Sequence, residues 1–365
     1  MKILIVISEL KYSGAAKIAA WLANSLAESD LDVTLLTFLG EKDSQIVNKN
    51  VKQVKIKIDD TSRWKRTLKA IRQIHKTIAK HKYNVLISFL PLEGFVSVLA
   101  SVHTKTKVIV AERSDPYNEK SIPANIFRFF FRFADGAVFQ SSGAMAYYPR
   151  KLKQNSRIIE NPVLRSNVPM IPYEDRYDEI VSVSRMEIKQ KRQDLLLKAF
   201  AIVAETKKTV KLKLIGDGPD MDDIKALSKE LGIYEQVIFI GKSSDVLKEI
   251  SHSKVFVFAS DFEGMPNAIL EALSMGVPVI TTDYSPGGAI ELVSAKERGF
   301  VVPRGNEKLL AEKMIYTLNH ADRAAEMSAN AVEIYTDNSE TEILKRWMEY
   351  ITHIAHCEMK RGAED

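Results

Sequence analysis

Two glutamates eight positions apart, Glu263 and Glu271, stand in the segment FEGMPNAILEALSMGVPVI that runs from Phe262 to Ile280. Pro266 suits the first turn of a helix, where a missing N–H costs nothing, and Gly276 suits its stop, so the spacing predicts a helix over Pro266 to Met275. Glu263 then lies in the loop ahead of that helix, and Glu271 lies about one and a half turns inside it. The backbone N–H groups of Met265, Asn267 and their neighbours make an anion-attracting helix end between the two acids. Carboxylates accept hydrogen bonds from sugar hydroxyls and helix N–H groups take phosphate, so this set can grip a polyhydroxylated molecule that carries phosphate. The alternative is an ordinary surface acid at each position. Against it, Ala268, Ile269, Ala272, Leu273 and Met275 surround Glu271 with apolar residues, where a carboxylate is costly without a partner.

The elements that must position these residues follow from the apolar runs. A chain of 365 residues suits two domains of roughly 100 to 200 residues each. Strand-length apolar runs alternate with longer amphipathic segments: residues 3–7, 33–37, 54–58, 85–88, 108–111 and 137–139 in the first half, and 180–183, 212–215, 237–240, 255–258 and 277–281 in the second. That alternation means an α/β protein with parallel sheets covered by helices. Between the halves, Asn161 to Pro172 holds three prolines without periodicity and reads as the linker. The expected organisation is therefore 1–165, 166–340 and a last helical segment, 341–365, whose stripe of Ile343, Leu344, Trp347, Ile351 and Ile354 runs within Thr341 to Lys360. Two doubly wound domains facing each other would gather their ligand loops around a shared cleft.

With Glu263-x7-Glu271 in place, the chain resembles the family 4 glycosyltransferases of GT-B fold, retaining enzymes that use nucleotide sugars. The resemblance implies two Rossmann-like domains facing a central cleft, the first binding acceptor and the second the nucleotide sugar, with the terminal helix crossing back to the first. After the run 180–183, Ser184 to Leu196 (SRMEIKQKRQDLL) is similar to the family's diphosphate-binding element, with Arg185 and Lys191 as its cationic pair. A guanidinium takes phosphate oxygens bidentately and an ammonium adds a mobile point charge, so the pair would stabilise a departing nucleoside diphosphate. A solvated basic loop is the bland alternative. Gly216, in LIGDGP, and Gly241-Lys242 follow the next two strands and match positions of backbone approach to the donor and of the base pocket. Gly287 and Gly288, in YSPGGAIE, match a loop near the donor sugar. In the first half, Gly14 in SGAAK matches a loop over the donor diphosphate, although Ser13 and Ala16 replace the usual glycine and acid. Arg113, in VAERSDP, stands where relatives often carry a histidine, and suits an electrostatic role on sugar hydroxyls or acceptor phosphate. The implied roles are Glu263 on donor-sugar hydroxyls, Glu271 on the ribose, and Met265, Pro266 and Asn267 at the helix end. The implied chemistry is transfer of a hexose or N-acetylhexosamine, with UDP as the usual nucleotide, by front-face substitution with retention. No cofactor or catalytic metal is expected: Asp220-Met221-Asp222 has the form of a metal motif from another fold but reads as helix capping.

Charge sorts the partners. Residues 1–165 hold 27 Lys and Arg against 14 Asp and Glu, a balance of +13, and residues 166–365 hold 25 against 33, a balance of −8, which together give the net +5. A basic first half points to an anionic partner. Arg63 to Lys76 reads as a basic amphipathic helix with Trp64, Leu68, Ile71 and Ile78 near one face, and Ile126 to Phe133 adds five phenylalanines and two arginines. Core packing with a solvated basic face is one reading of both. Peripheral attachment to the anionic inner face of the cell membrane is the other, and with it a lipid-diphosphate-linked glycan acceptor in surface polysaccharide assembly. Tyr83 to Thr104 is apolar but broken by Pro91, Glu93 and Gly94, so it reads as strand, loop and short helix rather than a membrane span. The single cysteine, Cys357, excludes an intramolecular disulfide framework and fits a cytoplasmic compartment, and Met1 to Glu9 reads as a buried strand rather than a signal peptide. Two other classes are open on the same residues. A basic nucleic-acid-binding module would need a recognition motif that is not found, and a sugar-nucleotide 2-epimerase of the same fold would need further acids and a histidine.

Overall fold

The computed structural model describes residues 1–11, 13–39, 45–58, 60 and 62–357. Its contacts divide the chain into two compact units, the first made of Met1–Asn161 with the chain from Thr341 onward, the second of Pro162–Glu340. The first unit holds a seven-stranded sheet of β1 (Lys2–Val6), β2 (Asp32–Thr37), β3 (Lys52–Lys55), β4 (Val85–Phe89), β5 (Lys107–Ala111), β6 (Gly136–Phe139) and β7 (Ser156–Ile158). Their order is β3-β2-β1-β4-β5-β6-β7, and every pair is parallel. The second unit holds β8 (Tyr177–Val183), β9 (Lys211–Ile215), β10 (Val237–Gly241), β11 (Ser253–Phe258), β12 (Val279–Thr282) and β13 (Gly299–Val302), in the order β10-β9-β8-β11-β12-β13, again all parallel. In each sheet the winding reverses beside the first strand of the unit, between β1 and β4 and between β8 and β11, the place where a doubly wound sheet opens a crevice at its carboxyl edge.

The central strands are apolar throughout because both faces are covered. In β11, Val255 and Val257 join one core with Leu196, Phe200 and Leu212, while Phe256 and Phe258 join the other with Ile269, Leu273 and Tyr284. The first unit's core gathers Leu4, Leu36, Leu86, Val108 and Phe139 under the helices that carry Ile74, Val96 and Phe131. Sequence expectation placed a strand at 54–58, whereas β3 lies at Lys52–Lys55. It is an edge strand exposed at all positions but Val54, so its apolar pattern is a weak guide to its bounds.

The boundary between the units, at Asn161 and Pro162, falls at the start of the proline run. Val163 pairs with Ser339, and its N–H donates to Asn338 O at 2.7 Å, which binds residues after Pro162 to the far end of the same unit. The helix Glu340–His356 packs within the first unit. Trp347 is fully buried, its ring 6.3 Å from that of Phe89, and the Tyr350 hydroxyl donates to Ala137 O at 3.2 Å. The remainder of the expected helix, residues 358–360, lies outside the described residues. The apolar stretch after Tyr83 forms β4 and the helix Pro91–Ala100, and among the described residues no helix is long and apolar enough to cross a membrane.

Candidate functional site

In the second unit, the loops after β8, β11 and β12 are laced together around one ion pair. The chain leaves β8 through Ser184 and Arg185 into the short helix Ile188–Lys191, where Lys191 Nζ meets Glu263 Oε1 at 2.5 Å. Both side chains are largely withdrawn from water, 15 % and 10 % exposed, and the ammonium also lies 5.4 Å from the centre of the Phe258 ring. Gln190 clamps the same contact from its other side: its Nε2 donates to Phe262 O at 2.9 Å, and its carbonyl accepts from Asp261 N at 2.9 Å. Arg192 takes a left-handed conformation, φ 51°, and its guanidinium bridges Asp194 and Asp261. Glu263 N donates to Ser285 O and Ser285 N to Asp261 O, so the glutamate rides on the loop that carries Gly287 and Gly288. Tyr284 is buried beneath that loop. Burial, and then the negative charges of Glu263 and Glu291, raise its hydroxyl pKa.

Arg185 stands apart from this pair. Its side chain is 64 % exposed and lies 3.4 Å from Glu187, a weak surface contact. Its backbone is fixed all the same: buried Gln193 donates from Nε2 to Ser184 Oγ and Arg185 O, at 3.0 and 2.8 Å. Gly216 and Gly218 have a packing reason of their own. A Cβ on Gly216 would stand 1.9 Å from Ser184 O, at φ 131°, and one on Gly218 would stand 2.3 Å from Met186 O. These glycines let the loop after β9 lie against the Arg185 segment. Gly216 N donates to Gly241 O, and the exposed Lys242 reaches Asp217 at 3.6 Å, so the Gly216 and Gly241-Lys242 loops are neighbours. Asp220 was expected to cap the following helix, but makes no such bond to Met221–Glu230. Its Oδ2 accepts instead from Ile188 N at 2.7 Å, a third tie on the segment that presents Lys191. The dipole part of the expectation fits Asp222 and Asp223, which occupy the helix's first turn.

The helix after Glu263 runs over Asn267–Ser274, one residue shorter at each end than expected. Pro266 is its N-cap in an extended conformation, and Gly276, at φ 68°, follows its C-cap. Met265, Asn267 and Glu271 are half-buried. Sequence reasoning passed over the roles of Gln190, Gln193 and Ser285, and gave Asp220 a capping role it does not fill. Their side chains and backbones work on loops, across gaps of up to 72 residues, and carry no periodic signal.

In the first unit, Gly14 opens the helix Gly14–Glu28, whose N-cap Ser13 accepts from Ala16 N at 3.2 Å. Beside the end of β1, the buried Glu93 accepts from Ser8 N at 3.0 Å, and burial lifts its carboxyl pKa to about 7. Arg113, after β5, is only 9 % exposed. Its guanidinium lies 5.2 Å from the Phe89 ring centre and 5.7 Å from that of Trp347, and Nη1 donates to Asn161 Oδ1 at 3.0 Å. Burial pushes its pKa down to about 9. The neighbouring Glu112 is taken by Arg128 Nε at 2.8 Å and by the Tyr148 hydroxyl at 2.5 Å.

The two basic segments divide between core and solvent in a way their spacing does not show. In the helix Arg63–His81 the buried stripe is Thr67, Ala70, Ile74 and Ile78, which leaves Trp64 and Leu68 exposed on another face. That separates Trp64 and Leu68 from Ile78, with which they were grouped. Around the helix Ile122–Phe130, Phe127 and Phe131 are buried while Ile122, Ile126, Phe129 and Phe133 are exposed, with Arg132 3.9 Å from the Phe129 ring centre.

Comparison with known proteins fits this architecture. Residues 171–333 match the model of the family described as glycosyl transferases group 1. The chain is 26 % identical, over 98 % of its length and 100 % of the relative's, to the "GalNAc-alpha-(1->4)-GalNAc-alpha-(1->3)-diNAcBac-PP-undecaprenol alpha-1,4-N-acetyl-D-galactosaminyltransferase" of Campylobacter jejuni. A "Lipopolysaccharide 1,6-galactosyltransferase" of Salmonella typhimurium is 36 % identical over 37 % of this chain and 38 % of its own. Among solved structures, the apo form of the lipopolysaccharide outer core galactosyltransferase WaaB superposes with a TM-score of 0.80 at 20 % identity, covering 97 % of this chain and 99 % of that one. Anabaena HepE in complex with UDP and glucose does so at 0.80 with 17 % identity, covering 96 % and 99 %. The chain therefore carries a glycosyl transferases group 1 domain and is a glycosyltransferase of GT-B fold.

Proposed function

We propose that this glycosyltransferase belongs to the retaining family 4 type and moves a hexose or N-acetylhexosamine from a UDP-sugar to a lipid-diphosphate-linked glycan in surface polysaccharide assembly. The observation that carries the reading is the ion pair of Lys191 and Glu263, held at 2.5 Å between the loops that end β8 and β11. It sets a diphosphate-seeking cation beside a carboxylate suited to sugar hydroxyls, which is the pairing a nucleotide-sugar donor presents. The relatives' names support the acceptor class: one acts on an undecaprenol-diphosphate-linked saccharide and another on lipopolysaccharide.

In the proposed step, the bond from the anomeric carbon to the diphosphate breaks while an acceptor hydroxyl forms its bond to that carbon from the same face. The hydroxyl proton passes to the departing diphosphate. Arg185 and Lys191 stabilise the departing charge, Glu263 holds donor-sugar hydroxyls and Glu271 the ribose. Gly216, Gly241, Lys242, Met265, Pro266, Asn267, Gly287 and Gly288 line the donor's path, and no metal ion is required. The first unit takes the acceptor at the cytoplasmic face of the membrane, where exposed Trp64, Leu68, Phe129 and Phe133 beside basic residues suit an anionic lipid surface. Incubation with a panel of nucleotide sugars and a lipid-diphosphate glycan tests the proposal. Release of UDP coupled to a product that keeps the donor's anomeric configuration by NMR is expected, and inversion overturns the retaining mechanism.

A further inference from the structure

One buried cation in the first unit, Arg113, has no ion pair among the described residues; the adjacent Glu112 favours its charge only from a distance. Arg113 is 9 % exposed, and its Nε and Nη2 atoms are buried without a hydrogen-bond partner among the described residues. Its one bond, from Nη1, goes to Asn161 Oδ1, a neutral acceptor that also takes Gln140 Nε2 at 2.8 Å. Glu112, next in the chain, is occupied by Arg128, Tyr148 and Ser114, and Asp115 by Tyr117 N and Asn118. The faces of Phe89 and Trp347 favour the cation from 5.2 and 5.7 Å, but aromatic faces leave the in-plane N–H groups of a guanidinium unsatisfied. Trp347 Nε1 is likewise buried without a hydrogen-bond partner among the described residues. A guanidinium this deeply buried without a hydrogen-bonded anion is costly, a cost that an incoming anion would offset.

The geometry points to Arg113, backed by Trp347 and Phe89, as the receptor for a phosphoryl group carried by the acceptor. This rests on the proposed reading of the acceptor as phosphate-bearing. A sugar hydroxyl would satisfy one N–H and leave the charge uncompensated, whereas a phosphoryl group supplies the charge and two oxygens for the planar fork. Phosphoryl chemistry could come from the acceptor or from the donor's diphosphate. The assignment to the acceptor rests on that reading, and titration with the donor site filled by UDP separates the two sources.

Calorimetric titration of the full chain with farnesyl diphosphate, pyrophosphate, farnesol and UDP tests this, the first three in saturating UDP so that the donor site is filled. Wild type should bind the two diphosphate probes and not farnesol. Arg113→Met should weaken the diphosphate probes on the order of 30-fold or more, Arg113→Lys should recover part of that loss, and both should bind UDP as wild type does. Lys191→Met should show the reverse pattern. A wild type that binds UDP but neither diphosphate probe would overturn the phosphate-bearing acceptor together with the Arg113 site. Farnesyl diphosphate binding that survives Arg113→Met would overturn the Arg113 assignment alone. A lowered Tm in Arg113→Met, accompanied by lost UDP binding, would make Arg113 a structural residue and also overturn it.

Discussion

Removing the contact between Lys191 and Glu263 one charge at a time should expose a coupling that surface ion pairs lack. The atoms are 2.5 Å apart, and at an effective dielectric of about 20 the attraction is roughly 6 to 7 kcal/mol before desolvation is subtracted. Burial to 15 % and 10 % exposure returns most of that gain as lost hydration, and residual solvent screens part of the rest. Close charge pairs in double-mutant cycles run from about 1.5 to 7 kcal/mol, and the residual exposure places this one near 2 kcal/mol. The cycle uses Lys191→Met, Glu263→Gln and the double variant, unfolded in urea without ligand. Arg185→Met with Glu187→Gln, a pair 64 % and 32 % exposed, serves as the control and should couple by about 0.5 kcal/mol or less. The same proteins report on function: Lys191→Met should weaken UDP binding, while Glu263→Gln, whose carboxylate competes with a diphosphate for the ammonium, should not. A Lys191–Glu263 coupling no larger than the control's would refute the view that the loops after β8 and β11 are locked by this pair.

Other outcomes follow from single positions. Gly216→Ala puts a Cβ 1.9 Å from Ser184 O at φ 131°, so urea unfolding should show a loss of about 3 kcal/mol or more, and a loss under about 1 kcal/mol would remove the packing argument. Glu93, with its pKa raised from 4.5 to about 7, binds its proton more tightly folded than unfolded. Its contribution is thus fully present below about pH 4.5 and is lost as pH rises to about 7. Glu93→Gln should therefore gain on wild type across that window, by on the order of 3 kcal/mol at its upper end, and parallel stability–pH curves would contradict this. Replacing the exposed Trp64, Leu68, Phe129 and Phe133 together by serine should abolish flotation with anionic liposomes while leaving UDP binding intact, and flotation that is indifferent to anionic lipid would count against membrane attachment.

The sheets were legible because buried parallel strands write themselves as apolar runs: β4 and β5, buried at every position, could hardly be read otherwise. The edge strand β3, exposed at all positions but Val54, was misplaced for the same reason. At the site, Glu263 and Lys191 could be picked out by type and spacing, yet the bond between them spans 72 residues and only the fold brings it about. Gln190 and Ser285 were missed, and Asp220 was given a capping role, because each acts by satisfying a loop's backbone, a role that any polar residue can fill and no spacing announces. The face of the helix Arg63–His81 was misgrouped because its buried stripe includes Thr67 and Ala70, two residues that hydropathy does not mark strongly.

The most direct test of the central claim is the affinity of the protein for UDP by calorimetry, in wild type and in the variant carrying Arg185→Ala and Lys191→Ala. A nucleotide-sugar site built on those two cations predicts that UDP binds wild type and that the double variant loses on the order of 100-fold or more. UDP that fails to bind wild type, or binds the double variant equally well, would contradict it.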